Sequence, residues 1–221
     1  MEAGKKWPTW AESFISEEEA QKVSEAVTKI ETKTSGEVVP MIVQRSSMTG
    51  HLPYMITLIF LVVLLVFEVP HMDFFVAWNA TWLLFLVSAL CLLVSFPISR
   101  LHWVQRLLIP KKDQSFEVEE RALLEFYQSG IPGTRERTGV LIFVSLMERK
   151  AVVLADESIT KKLPQETWAQ ICQDMVEGIK KGKTAEGLVQ AIQRSGELLA
   201  QHFPHGSEND NELSNHLILK E

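Results

Sequence analysis

Between Leu52 and Ser99 the chain is almost continuously apolar, broken once at Glu68-Val69-Pro70-His71-Met72-Asp73. No residue from Leu52 to Phe67, and none from Phe74 to Ser99, carries a formal charge. A helix without a polar face has to be buried in protein or in lipid. A chain of 221 residues offers too little interior to wrap two such helices on every side, so lipid is preferred over a pair of core helices. The stretch reads as a two-helix transmembrane hairpin, with spans over residues 52–69 and 74–98. About 20 residues are needed to cross the hydrocarbon. The second span has them; the first needs His51 and Glu68 at headgroup level.

The flanks agree with this reading. Tyr54, Trp78, Trp82 and Trp103 lie towards the ends of the runs, where an aromatic belt forms. Pro70 breaks the helix in the link. The link holds no Lys or Arg, whereas Arg45 precedes the first span and Arg100, Arg106, Lys111 and Lys112 follow the second. That asymmetry places both termini and the soluble part in the cytoplasm. Leu101, Val104, Leu107 and Leu108, set against His102, Gln105 and Arg106, make residues 100–110 an amphipathic segment for the membrane surface.

Outside the hairpin the chain has α/β character. Ser16 and Glu19 form a capping box ahead of Ala20, Val23, Val27 and Ile30 at helical spacing. Thr34-Ser35-Gly36 ends that helix, with Gly36 suited to a left-handed turn, and residues 38–44 follow as a buried strand. A second helix spans 115–129, with Val118, Ala122, Leu123, Phe126 and Tyr127 inward and Glu117, Glu120 and Glu125 outward. Strands at 140–146 and 151–155 turn about Glu148-Arg149-Lys150, and 156–163 reads as a loop. Pro164 opens a helix carrying Trp168, Ile171, Cys172, Met175 and Ile179, which Gly182 stops; Thr184 caps the last helix. Residues 1–13 read as a tail, with Trp7 and Trp10 beside Lys5 and Lys6 as an alternative membrane-surface contact, and 206–221 as a loose polar tail. The expected fold is a small mixed β-sheet flanked by helices, its two parts (14–46 and 112–205) separated by the hairpin.

Several function classes drop out. A net charge of -6 speaks against nucleic acid as partner. Cys91 and Cys172 are the only cysteines and suggest neither a disulfide framework nor a metal knuckle. The first residues lead into no apolar run, so no cleavable signal is expected.

Ser16-Glu17-Glu18-Glu19, Thr34-Ser35-Gly36-Glu37-Val38-Val39-Pro40, Arg135-Glu136-Arg137-Thr138-Gly139-Val140-Leu141-Ile142-Phe143-Val144-Ser145, Ala155-Asp156 and Leu163-Pro164 before Trp168 together resemble the TPM domain family. The likeness is to a bacterial membrane-bound branch in which a hairpin interrupts the domain. It implies a βαβ-type sandwich and a place in a bacterial inner membrane. Some relatives are linked to acid phosphatase activity with divalent cation binding, others to assembly or modulation of membrane complexes. The glycine-rich segment many members carry after the third strand is here Asp156-Glu157-Ser158-Ile159.

Asp156 is the first site candidate, since α/β sheets place ligands where strands end. With Glu157 and Glu37 it makes an oxygen set for calcium or magnesium; the plainer reading is a turn cap beside a solvated Glu157. Arg135 and Arg137 are candidates for clamping a phosphate or carboxylate, against a solvated loop. His202 and His205 stand around Pro204 without a third ligand, and Glu208, Asp210 and Glu212 lack the glycine and closing glutamate of a calcium loop. The expected function is a membrane-anchored binding domain whose partners are the bilayer and another membrane protein. A divalent-cation-dependent phosphatase and a purely structural membrane protein are the alternatives.

Overall fold

The computed structural model describes residues 7–47, 51–68, 81–101, 104, 111–205 and 211–221. Ser16 caps helix α1 (Glu17–Glu31) with both halves of the capping box in place. The chain then passes through strand β1 (Glu37–Val43), helices α2 (Leu52–Glu68), α3 (Thr81–Ser99) and α4 (Lys111–Gln128), and strands β2 (Gly139–Ser145) and β3 (Lys150–Ala155). A short α5 (Glu157–Thr160) precedes α6 (Ala169–Lys180), α7 (Thr184–His202) and a last strand, β4 (Ile218–Lys220). Contacts divide the chain into two compact units, Met1–Ser47 with Ser115–Glu221, and Met48–Gln114.

The first unit is a mixed α/β fold around a four-stranded sheet in the order β3-β2-β1-β4. β1 is parallel to β2 and to β4, and β2 is antiparallel to β3. β1 and β2 are buried at every position, as unbroken apolar strands covered on both faces must be. Val38, Ile42, Val140, Ile142, Val144 and Val153 join one core with α1, α6, α7 and the fully buried Trp168. Val39, Met41, Val43, Leu141 and Phe143 face the other way, against Val118, Ala122 and Phe126 of α4. Both edges are occupied. β4 closes the β1 side, and at β3 the Gln165 amide donates to the Val153 carbonyl (2.8 Å).

Five expectations need correction. The N-terminal segment is no loose tail from Trp7 on: Trp7 and Trp10 pack on the core and Ala11 and Ile15 are buried in it. The C-terminal segment supplies β4, and α5 replaces the start of the loop expected at 156–163. Gly36 has no positive φ, unlike Gly130 and Gly182. It is small because a Cβ there would lie 3.0 Å from Leu199 Cδ1. On α4, Leu123 and Tyr127 are exposed while Glu125 is buried, because β4 brings a cation to Glu125.

In the second unit α2 and α3 pack on each other. Tyr54 and Thr57, early in α2, meet Phe96 and Ser95, late in α3, so the helices run antiparallel. Among the described residues no helix is long and apolar enough to cross a membrane. The 17 residues of α2 rise about 26 Å, short of the roughly 30 Å of hydrocarbon, and the 19 of α3 include Pro97. The transmembrane spans expected at 52–69 and 74–98 are corrected to this helix pair. The link at Glu68–Asp73 falls outside the described residues from 69 on, as do Trp78, Trp103 and most of the amphipathic segment.

Candidate functional site

The Thr-Ser-Gly-Glu run ahead of β1 is a hydrogen-bonded connector. Thr34 Oγ1 donates to the Phe203 carbonyl (2.6 Å), and Thr138 Oγ1 donates to the Ser35 carbonyl (2.9 Å). These bonds fix the start of β1 and place two carboxyl groups at the same end of the sheet. Glu31 Oε1 accepts the Val38 N–H (3.1 Å), and Glu37 Oε2 accepts the Leu213 N–H (3.2 Å). Burial pushes the Glu31 carboxyl up to about 8; the Val38 N–H and Asn215 oppose the rise, and the neighbouring Glu37 charge adds to it. Burial also raises Glu37, against the backbone N–H groups of Leu213 and Glu212 and with the Glu212 charge. Glu31 Oε2 is buried and has no hydrogen-bond partner among the described residues. A carboxyl in that state is better kept protonated.

The sequence candidates do not converge. Asp156 caps α5, its Oδ1 accepting the Glu157 N–H at 2.7 Å, so the turn-cap reading holds for that oxygen. The Glu157 carboxylate is exposed and paired with Lys161 at 2.8 Å. Lys161, by hydrogen bond and by charge, holds Glu157 below the usual carboxylate range, burial opposes the shift slightly, and Arg137 adds to it. Glu37 and Asp156 stand on either side of Gly139: Glu37 is its register partner, and the Asp156 N–H donates to its carbonyl (2.9 Å). Two strand spacings, roughly 10 Å, separate their backbones. Ile131 fills the space over Gly139, where a Cβ would meet its Cγ2 at 2.5 Å. Among the described residues no group of three or more His, Cys, Asp or Glu could hold a metal ion, so these residues do not fit calcium or magnesium.

Arg135 and Arg137 are exposed on the loop before β2. Their backbone is engaged: the Arg135 N–H donates to the Glu212 carboxylate (3.0 Å), and the Arg137 N–H donates to the Thr134 carbonyl (3.1 Å). Arg137 adopts a φ of 56°, an uncommon backbone state for a side-chain-bearing residue. His202 and His205 are both exposed. Nδ1 of His205 lies 3.1 Å from the Glu31 carbonyl, and the His202 carbonyl accepts from Lys162.

Three features lay outside the sequence reading. Glu148 accepts the Ser46 and Ser47 N–H groups (3.2 and 3.1 Å) and the Ser145 hydroxyl. Burial alone would raise its carboxyl; the bonds from Ser145, Ser47 and Ser46 outweigh burial and bring it below the ordinary value. Glu125, buried on α4, pairs with Arg121 at 3.0 Å and with Lys220 of β4. A cleft of about 400 Å³ lies along β3, lined among others by Ser115, Lys150, Cys172 and Lys180. Lys150 donates to Ser115 Oγ there, and burial lowers its ammonium against the Glu119 and Glu148 charges. Burial pushes the Cys172 thiol up, against a hydrogen bond from the Val153 backbone, which disfavours its thiolate.

Two apolar surfaces complete the inventory. In the helix pair two hydroxyls face inward: Thr57 donates to Ser95 Oγ (2.9 Å), and the two residues are 8% and 0% exposed. Large apolar side chains face outward, with Leu58 at 62%, Phe85 at 78% and Leu93 at 71% exposure. On α4, Phe116, Leu123, Leu124 and Tyr127 form a second exposed apolar stripe at helical spacing.

Residues 100–198 match the family model of the TPM domain. The likeness to the TPM domain covers that stretch of the chain. The matched segment includes β2, β3 and α5 to α6 and leaves out β1 and β4; the sheet of the TPM domain is therefore completed by residues on both sides of the match. The NMR structure of BA42 protein from the psychrophilic bacterium Bizionia argentinensis is similar in fold, with a TM-score of 0.58 at 19% identity, over 94% of this chain and 97% of that one. No curated protein matches.

Proposed function

We propose that this TPM domain is a cytoplasm-facing binding module held at a bacterial inner membrane by the α2–α3 pair, and that it acts on another membrane protein in assembly, quality control or modulation. The observation that carries the reading is the polarity of the helix pair. In water, apolar side chains turn inward and hydroxyls outward. Here the hydroxyls of Thr57 and Ser95 bond to each other inside while Leu58, Phe85 and Leu93 face out. That is the order expected in lipid, where small and polar groups join helices and apolar side chains face acyl chains. Given the helix lengths, the proposal is a lipid-embedded hairpin with both ends on the cytoplasmic side, where Arg45 and Arg100 lie.

The stripe of Phe116, Leu123, Leu124 and Tyr127 supports a protein partner. Contiguous exposed apolar surface marks interaction sites, and aromatic residues are enriched at them. The phosphatase alternative gains no such support, since Asp156, Glu157 and Glu37 serve three separate partners.

Membranes from cells producing the full chain are washed with alkaline carbonate. The chain is expected to stay in the pellet, and Leu58→Asp with Leu93→Asp should release it, each charge costing about 2.5–3.5 kcal/mol in the bilayer centre. Release of the unsubstituted chain overturns the membrane half. Crosslinking in those membranes should recover a second membrane protein, lost on Leu124→Glu with Tyr127→Glu; recovery of the chain alone overturns the binding half.

A further inference from the structure

We propose that the uncovered end of β3 receives an extended acidic segment of another protein, paired through the main chain at Ala151 and held by Arg149 and Lys180. The register decides which way the polar groups of this strand point. The Asp156 N–H donates to the Gly139 carbonyl across the β2–β3 pair. In an antiparallel ladder such bonded pairs alternate, so Leu154, Val152 and Lys150 turn their N–H and C=O to β2. Ala151, Val153 and Ala155 turn theirs away from the sheet. Val153 is served there: its carbonyl accepts the Gln165 amide (2.8 Å), and its N–H bonds to Cys172. That cover reaches no further toward the turn. Ala151, the next outward residue, lines the cleft along β3, and among the described residues nothing pairs with its outward N–H and C=O.

The walls of the cleft suit a strand laid along that edge. Its volume of about 400 Å³ lies in the ordinary range of ligand pockets. Ala151 packs on the core that α6 shares and Val152 on the core that α4 shares, so the two helices flank the edge on opposite faces of the sheet. Val118 of α4 and Val176 of α6 line the cleft from those sides. Side chains alternating along an added strand therefore meet an apolar wall on each face. Strand addition of this kind draws affinity from main-chain bonds and specificity from the side-chain pockets.

Charge selects the occupant. Of the two acids in the cleft, Glu177 pairs with Lys181 at 3.8 Å, and the Glu119 charge acts on Lys150, whose ammonium donates to Ser115 Oγ. Arg149 and Lys180 line the same cleft and are exposed. Neither has a carboxylate within ion-pair distance among the described residues. Arg149 is also held in place: its N–H donates to the Leu146 carbonyl (3.3 Å), and its φ is 52°. Carboxylates on an incoming strand supply the missing partners, with Arg149 able to take one in a bidentate fork. Recognition of this kind rests on the domain being a binding module, as proposed above, but uses a surface other than the stripe of Phe116, Leu123, Leu124 and Tyr127.

The test uses the full chain in detergent and a fluorescein-labelled hexapeptide of alternating valine and glutamate. The peptide should bind saturably, and the same peptide with lysine for glutamate should not. Arg149→Glu with Lys180→Glu should weaken binding about tenfold or more. Main-chain pairing is read separately. Ala151→Pro removes the outward N–H, a change an edge strand accommodates, and should abolish binding while thermal unfolding stays near that of the parent. A peptide N-methylated along its backbone should fail in the same way against the unsubstituted chain, which keeps the test open if Ala151→Pro does not fold. Binding that follows charge but survives N-methylation overturns the strand pairing, and absence of saturable binding overturns the whole proposal. Either result leaves the crosslink lost on Leu124→Glu with Tyr127→Glu untouched, whereas absence of that crosslink sinks the binding module itself.

Discussion

The two units solve the same problem in opposite ways. In the α/β unit, Ile42, Leu141, Ile142 and Phe143 are wholly buried, and the buried Glu125 is partnered by Arg121 and Lys220. In the helix pair, side chains as apolar as these lie outside, and two hydroxyls are closed into the interface. On the proposed membrane reading, the difference reflects the solvent of each unit. Burial from water organises the sheet, whereas the helix pair gains nothing by hiding leucines if its surroundings are acyl chains.

The largest expected effect breaks the two units apart. Phe143→Ala removes a fully buried ring from the centre of the sheet and should cost about 3–5 kcal/mol. Leu93→Ala, on the outside of the helix pair, should change the folding stability by no more than about 0.5 kcal/mol. Thermal unfolding in detergent measures both; equal losses would mean that Leu93 is packed on protein.

Next comes pH. Burial raises the Glu31 carboxyl from 4.5 to about 8, so between those values the folded chain binds more protons than the unfolded one. Stability from this group is complete below about 4.5 and falls as pH rises through about 8, by an amount on the order of a few kcal/mol. Glu37 is raised as well and acts in the same sense. Glu31→Gln should flatten the profile over that window in denaturant titrations. A wild-type profile already flat there would place Glu31 in water.

The smallest effect lies inside the pair. Thr57→Val keeps the shape and removes the donor to Ser95. Interhelical bonds of this kind in lipid are worth about 0.6 kcal/mol on average. A loss of that size in helix-pair stability, read by the melting of a fluorophore pair on α2 and α3, would fit; a loss several times larger would mean a water-excluded protein core instead.

Local chemistry was legible where it is settled within a few residues. Ser16 and Glu19 announced the capping box, Gly182 the positive φ that ends α6, and the unbroken apolar runs the buried strands β1 and β2. Asp156 announced a cap but not the lack of company for it, because the plug formed by Ile131 over Gly139 is a packing fact.

β4 was hidden for a related reason. Leu217-Ile218-Leu219 is too short to declare itself a strand, and its pairing with β1 spans about 175 residues of sequence. The polar and charged partners of that strand went unseen with it: Glu125 looks solvated until Lys220 arrives, and Leu123 and Tyr127 look inward until the face of α4 is chosen. By itself the sequence determined the caps at Ser16 and Asp156, the stop at Gly182, the two central strands and the uncharged stretch that divides the domain, because covalent neighbours and side-chain periodicity fix these; Thr184, read as a cap, lies inside α7, with Lys183 ahead of it. Which carboxylates meet a cation, which stay protonated and which strand closes the sheet was decided by tertiary structure alone, since each depends on groups that only the folded chain brings within hydrogen-bond reach.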